Sequence, residues 1–369
     1  MDDKCFFFAG GGTGGHIYPA IAIAEQIVKL EPTAKIHFFC STRDIDSRIL
    51  KQAGFEYTRL PARGLSAGLG GLIGFCTSFL KSYKIAKEVI AENPNTKVIG
   101  VGGFVAGPAC LAAHRLNVPV VLLNVDILPG RANKIIARWA NEIFVQFEET
   151  ARNFVKTKAK INVVGCPLRS GFENPQPYKA IKELGLDENR KTLLITGASS
   201  GSENINRTVC SLLEKLDSFA DDWQIVHLTG EKNYDKVNSK YNGIKIRHKV
   251  LGYFDDMPDL LTASDLVVGR SGAVSVAEYA AAGVPSICIP YPYHKDRHQY
   301  LNAGKLVEAG AAVIVDDLPD EKDRAEWLWQ ELQELMKDDE KRREMKDKCA
   351  AIARKDAALK IAEILLAQS

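Results

Sequence analysis

A single carboxylate, Glu278, stands in the small, apolar stretch Ala273–Ala282 that follows the turn Arg270-Ser271-Gly272. Its composition predicts a helix, whose first backbone N–H groups, at Ala273, Val274 and Ser275, are free to meet a diphosphate. Facing outward from that helix, Glu278 can accept hydrogen bonds from both ribose hydroxyls; the competing reading is one solvated Glu on a helix packed against a sheet. The next apolar run, 286–289, leads into Pro290-Tyr291-Pro292-Tyr293-His294-Lys295-Asp296-Arg297-His298-Gln299, with Asn302 just beyond. Donors and acceptors are thereby concentrated past a strand's C-terminal end, where ligands of open α/β sheets bind.

A second constellation lies near the start of the chain. Phe6-Phe7-Phe8 runs into Gly10-Gly11-Gly12-Thr13-Gly14-Gly15-His16, followed by a helical stretch over about 19–30. Glycines let the backbone approach a ligand closely, and Pro19 suits a first helical turn. No Lys-Ser/Thr follows, as a Walker loop requires, and the run is not a G-x-G-x-x-G with a suitably spaced ribose acid. His16 adds an imidazole able to take a proton from a hydroxyl near neutral pH; a capping or structural histidine is the alternative. Two more glycine turns, 100–108 and 197–202, each follow a strand-like run and precede a helix-like one. Four such turns in two halves predict a site between two sheets rather than within one loop.

The elements that must position these residues alternate strand and helix. Strands are predicted at 5–9, 35–40, 97–100, 118–123 and 143–145, then from 192 and at 223–228, 244–250, 266–268 and 286–289. Such alternation demands parallel sheets covered on both faces. A Pro-bearing segment, 165–190, reads as the boundary, and from residue 321 the chain turns charged and helical. The expected division is 1–165, 166–350 and a terminal helix at 351–369, in keeping with two domains for 369 residues. With 48 Lys+Arg against 46 Asp+Glu, no general nucleic-acid binder is indicated. The eight cysteines include no C-x-x-C pair and read as reduced core residues of a cytosolic protein. No signal core or membrane-length apolar run is evident, so a soluble or peripheral protein is expected. Asp44-Ile45-Asp46 reads as a solvated helix start, and no metal is expected. At 69–87, Leu72, Phe75, Phe79, Leu80 and Tyr83 recur at helical spacing with Lys81, Lys84 and Lys87 nearby. That stripe suits either docking on an anionic membrane or a core helix with a solvated basic side.

The runs GGTGGH from Gly11, GVGGFVAGP from Gly100, GCPLR from Gly165, GASSG from Gly197, YFDDM from Tyr253, and SGAVSVAEYAAAGVP through HKDRHQYLNA together resemble the MurG family. These are family 28 glycosyltransferases of bacterial peptidoglycan synthesis, which add N-acetylglucosamine to an undecaprenyl-pyrophosphoryl-MurNAc-pentapeptide. The resemblance extends nearly end to end. It implies the GT-B architecture: α/β, two Rossmann-like domains facing across a cleft, and a last helix crossing back to the N-terminal domain. It further implies UDP-N-acetylglucosamine as donor, with Phe254 at the uracil, Glu278 at the ribose, and Ser199 with Ala273, Val274 and Ser275 at the phosphates. Arg169 would act near the nucleotide, and Gln299, His298 and Asn302 near the sugar. The acceptor diphosphate would meet Thr13, Gly14, Gly15, Gly102 and Gly103. Single displacement with inversion is implied, with His16 as base, no cofactor or obligatory metal, and docking on the cytoplasmic face of the inner membrane.

Three departures stand out. Leu123-Asn124-Val125-Asp126 replaces the family's H-E-Q-N, which puts Asp126 where a donor-contacting amide is usual. Phe104 replaces a Tyr, and His298 the first Gln of a pair. They leave open a UDP-sugar transferase with another lipid or natural-product acceptor; an epimerase or non-catalytic nucleotide-sugar binder ranks lower.

Overall fold

The computed structural model describes residues 4–12, 14–65, 67–93 and 95–367. Phe6, Phe7 and Phe8 are consecutive and all buried, as a strand covered on both faces requires. They belong to β1 (Cys5–Ala9), followed by α1 (Gly14–Leu30), β2 (Lys35–Cys40), α2 (Asp44–Gln52), β3 (Glu56–Arg59) and α3 (Leu69–Ala91). Then come β4 (Thr96–Gly100), α4 (Gly103–Arg115), β5 (Val120–Asn124), α5 (Arg131–Ile136), β6 (Glu142–Val145), α6 (Glu148–Ala151) and β7 (Lys160–Val163). These strands form one parallel sheet in the order β3-β2-β1-β4-β5-β6-β7. The order reverses between β1 and β4. Connections leaving those two strands diverge to opposite faces, and a crevice opens at their C-terminal ends.

The second series is α7 (Pro177–Leu184), β8 (Lys191–Thr196), α8 (Glu203–Cys210), α9 (Leu213–Leu216), β9 (Trp223–Leu228), α10 (Tyr234–Asn238) and β10 (Arg247–Leu251). It continues with α11 (Met257–Thr262), β11 (Leu266–Gly269), α12 (Ala273–Ala282), β12 (Ser286–Cys288), α13 (His298–Glu308), β13 (Ala312–Ile314), α14 (Glu321–Lys337) and α15 (Asp339–Ile352). The second parallel sheet runs β10-β9-β8-β11-β12-β13 and reverses between β8 and β11. By contact density the chain forms two units: one runs through Arg169 and resumes at Asp356, the other is Ser170–Lys355. The resumed segment is α16 (Ala357–Ala367), which packs against α1 of the first unit. Lys4 and Lys97 donate to the carbonyls of Leu366 and Leu365 at 2.9 and 2.6 Å, pairing cations with the negative end of the helix dipole.

Several local expectations change. Helix α1 begins at Gly14, so Pro19 lies inside it rather than in its first turn. Proline's missing N–H leaves one carbonyl of the preceding turn without its helical bond. Asp46 is no solvated helix start: it is fully buried. The α3 stripe divides: Leu72 and Leu80 are exposed, with Leu69 and Ile73 beside them, Phe75 and Phe79 are half-buried, and Tyr83 packs against the core in the half of the helix that buries Ser82, Ala86 and Ile90. Six of the eight cysteines are buried, and all are reduced; burial pushes the thiols of Cys40, Cys110 and Cys288 up to about 12.

Candidate active site

In the first unit the two glycine turns meet at the point where strand order reverses. Gly102 (φ 108°) and Gly103 (φ 77°) lie in the left-handed region that glycine tolerates. A Cβ on Gly102 would stand 2.8 Å from His16 Cδ2, and one on Gly103 2.8 Å from the Gly11 carbonyl oxygen. Any side chain there would therefore displace the imidazole or the first turn. Neither α1 nor α4 carries an acid in its first turn, which leaves the positive end of each helix dipole uncompensated by its own side chains.

The first turn is held by Asp46. Its Oδ2 accepts from Gly12 N at 2.8 Å, Ser41 N at 3.1 Å and Ser41 Oγ at 2.5 Å, while Arg43 donates to the Gly12 carbonyl at 2.5 Å. Burial pushes the His16 imidazole below its ordinary 6.5, opposed by the charges of Asp126 and Asp46 and by a hydrogen bond to the Gly11 backbone. His16 is therefore neutral at pH 7, the state a proton acceptor needs. Asn133 Nδ2 donates to Asn124 Oδ1 at 2.8 Å, and Asn124 Nδ2 to the Asp126 carbonyl at 2.7 Å, which orders the segment that carries Asp126. Arg169 stacks its guanidinium on the Tyr18 ring of α1, 4.6 Å from the centroid.

The second unit repeats the plan at its own reversal. The turn after β8 carries exposed Ser199 and ends at Ser202, whose side chain caps α8 by accepting from Ile205 N. After β11, α12 starts at Ala273 with no acid in its first turn. Tyr279 donates to the Arg270 carbonyl at 3.0 Å, Ser271 Oγ to the Gln299 carbonyl at 2.9 Å, and Asn302 Nδ2 to the Ser271 carbonyl at 3.4 Å. Glu278 does not face outward as the composition suggested, nor is it the solvated carboxylate of the competing reading: it is buried, only 9% exposed, on a helix against which α11, α13 and α15 all pack.

His298 and Gln299 belong to the first turn of α13, where the sequence suggested only a polar loop. The Gln299 side-chain carbonyl accepts from Tyr291 N at 3.0 Å, and His298 Nδ1 pairs with Asp296 at 2.7 Å. The His298 ring stacks on His294 with centroids 4.3 Å apart. Partial burial works to raise the Asp296 carboxyl, but the hydrogen bonds and charge of His298 outweigh it and hold the group below its ordinary value. Phe254 is buried just beyond β10.

The structure thus gathers His16, Gly14, Gly15, Gly102, Gly103 and Asp126 in the first unit. In the second, Ala273, Val274, Ser275 and Glu278 lie on α12, with His298, Gln299 and Asn302 on the adjoining α13, whereas Ser199 is exposed on its own turn, Phe254 lies beyond β10 and Arg169 falls in the first unit; Thr13 lies outside the described residues. Sequence reasoning missed Asn133 and Asp317, read Asp46 as part of a solvated helix start, and gave Arg270 no role beyond its place in the turn before α12. A buried acid two residues into a predicted helix was a signal for Asp46 only if its burial could be foreseen. Among the described residues no group of three or more His, Cys, Asp or Glu could hold a metal ion.

Comparison with known proteins agrees with this plan. Residues 6–145 match the glycosyltransferase family 28 N-terminal domain, and residues 192–361 the glycosyltransferase family 28 C-terminal domain. The UDP-N-acetylglucosamine--N-acetylmuramyl-(pentapeptide) pyrophosphoryl-undecaprenol N-acetylglucosamine transferase of Desulfitobacterium hafniense (strain Y51) is 35% identical, with 97% of each chain covered. The Bacillus pumilus (strain SAFR-032) protein of that name is 32% identical, again over 97% of each. Among solved structures, Acinetobacter baumannii MurG superposes with a TM-score of 0.71 at 22% identity over 100% of both chains. A putative UDP-N-acetylglucosamine 2-epimerase from Listeria monocytogenes reaches 0.72 at 16% identity, covering 100% of this chain and 97% of its own, a likeness of fold alone. Identity sustained from one terminus to the other, through both family 28 domains, makes this chain a glycosyltransferase that belongs to the MurG family.

Proposed function

We propose that the protein transfers N-acetylglucosamine from UDP-N-acetylglucosamine to undecaprenyl-pyrophosphoryl-MurNAc-pentapeptide, with inversion. The observation that carries this reading is a neutral His16 packed on Gly102 beside two helix N-termini free of acidic residues. The acceptor diphosphate lies along Gly14, Gly15, Gly102 and Gly103. His16 removes the proton from the muramyl hydroxyl as its oxygen attacks the anomeric carbon. The bond from that carbon to UDP breaks, and its electron pair leaves on the diphosphate. In the second unit Phe254 meets uracil, and Glu278 accepts from the ribose. Ser199 and the N–H groups of Ala273, Val274 and Ser275 stabilise the charge that develops on the leaving group. Gln299, His298 and Asn302 bind the sugar. Incubating the protein with UDP-[¹⁴C]N-acetylglucosamine and the lipid-linked MurNAc-pentapeptide should give labelled disaccharide lipid and free UDP. Label transferred instead to a different lipid or natural-product acceptor would favour the second reading, which the 123–126 segment motivates by placing an acid where the family carries an amide.

The acceptor's lipid tail calls for a membrane surface. No described helix is long and apolar enough to cross one. Leu69, Leu72, Ile73 and Leu80 of α3 are exposed beside Lys81, Lys84 and Lys87, an arrangement suited to lying on an anionic leaflet. The combined variant Leu72→Ser/Ile73→Ser should lose binding to vesicles containing phosphatidylglycerol and activity on the long-chain acceptor. It should keep activity on a soluble short-chain analogue and its melting temperature, since both side chains are exposed. Equal loss on both acceptors would remove the membrane from the reading.

A further inference from the structure

The turn after β8 and the turn after β11 are joined by Arg270, which is itself held by a buried carboxylate that belongs to neither turn. Asp317 lies beyond β13, and its side chain is fully buried. Oδ2 accepts from Arg270 Nη2 at 2.8 Å and Oδ1 from Asn204 Nδ2 at 2.9 Å, with Arg324 Nη1 3.5 Å from Oδ1. Held in this way, Arg270 donates to Ser202 Oγ at 2.7 Å and to the carbonyls of Ile289 and Pro290 at 2.9 and 3.2 Å. A single guanidinium therefore reaches the cap of α8, its own turn ahead of α12, and the segment after β12. The turn ending at Ser202 contains Ala198 at φ 60° and Gly201 at φ 72°. An alanine in the left-handed region persists only where its surroundings hold it. Two guanidiniums share this one carboxylate, so the cluster keeps an excess of positive charge beneath loops assigned to a diphosphate.

We propose that Asp317 is a positioning residue of the donor-diphosphate site, acting through Arg270 to hold the 197–202 turn and the start of α12 in one arrangement. The proposal rests on the donor reading above. A buried guanidinium has several candidate acceptors, and a carboxylate at 2.8 Å selects one rotamer among them by a charge-assisted bond. Without that bond Nη2, the nitrogen that also meets Ser202, loses its charged anchor, Arg270 keeps only the Nη1 bonds to the Ile289 and Pro290 carbonyls, and the turn is less firmly held in its strained backbone.

The test is direct binding of UDP by calorimetry to the unaltered protein, Asp317→Asn, Arg270→Lys and the double variant. Donor and acceptor KM and thermal unfolding are measured in parallel. Asp317→Asn should weaken UDP and raise the donor KM by about 10–100-fold, the scale of misplacing a site by an ångström, with the acceptor KM unchanged. Arg270→Lys keeps the charge but not the fork, so it should lose comparable affinity. The double variant should lose little more than either single one, as expected for residues acting as a unit. A residue that merely supports the fold would lower the melting temperature while leaving the UDP affinity of the folded protein intact, and that result overturns the proposal. Should Asp317→Asn fail to fold, Arg270→Lys with normal UDP affinity overturns it equally. If the unaltered protein does not bind UDP, the donor reading itself falls; if it binds and both variants match it, only the role of Asp317 does.

Discussion

Each unit holds an imidazole close to one of its glycine turns, and the two are treated in opposite ways. His227, on β9, is fully buried. Its Nε2–H donates to Asn206 Oδ1 at 3.0 Å, since the Asn206 amide nitrogen is engaged with the Thr229 carbonyl at 2.9 Å. Nδ1 then accepts from Tyr241 Oη at 2.9 Å. With both nitrogens committed and no charge nearby to oppose it, burial lowers His227 to about 3. Burial lowers His16 as well, but there Asp126 and Asp46 pull the other way. An imidazole sealed among neutral partners is scaffold. One whose desolvation is countered by carboxylates, at a strand-order reversal, retains the capacity to exchange a proton.

The largest expected effect tests that contrast directly. His16→Ala should lower turnover by about 10²–10⁴-fold, the usual contribution of a general base, and leave UDP affinity unchanged. In the unaltered protein kcat/KM should fall on the acid side with a midpoint below 6.5, because burial lowers the group and only its neutral form accepts a proton. Near-normal turnover of the variant would make His16 scaffold like His227.

Glu278 sharpens the comparison from the other unit, where substitutions should alter nucleotide affinity rather than transfer alone. Glu278→Ala should weaken UDP and the UDP-sugar together by about 1.5–3 kcal/mol, typical of a hydrogen bond to a charged group. Calorimetry on UDP alone is decisive, as it needs no acceptor. Unchanged affinity would mean that this buried carboxylate serves only α12 and its neighbours.

How much of this was legible depended on whether the cause was local. Phe6-Phe7-Phe8 announces a central strand because burial on both faces leaves no polar residue to disguise it; Trp223–Leu228 was legible from its apolar residues, although it carries the buried polar residues Gln224 and His227. The edge strands β3, reading EYTR, and β7, reading KINV, went unread, since exposed edges carry the polar residues of loops. At three residues, β13 is too short to show a period. The glycine turns were legible because positive φ at Gly102 and Gly103 is a demand made within one or two residues. The partners that hold them were not. Asp46 reaches Gly12 across 34 positions and Asp317 reaches Arg270 across 47, and no composition or spacing near either acid encodes that meeting. Glu278 misled for a related reason: an acid on a small-residue helix faces solvent unless other helices cover it, and α11, α13 and α15 do.

The last effect leaves turnover and nucleotide affinity aside: it concerns stability and comes from His227. Its folded pKa, about 3, lies below the ordinary 6.5, so between these values the unfolded chain binds a proton that the folded one refuses. Stability from this group is therefore complete above pH 6.5 and is lost as pH falls toward 3, with a slope of at most about 1.4 kcal/mol per pH unit. Burial lowers His37 and His16 too, and both act with the same sign. The informative quantity is thus the difference between the unaltered protein and His227→Asn in the slope of unfolding free energy from pH 6 down to 4. The variant should be less stable at pH 7, because Tyr241 Oη and Asn206 Oδ1 lose their partner, yet lose stability more slowly on acidification. Two parallel slopes, or an NMR titration placing His227 near 6.5, would show that its imidazole takes up protons in the fold, and the distinction drawn between the two histidines would fail.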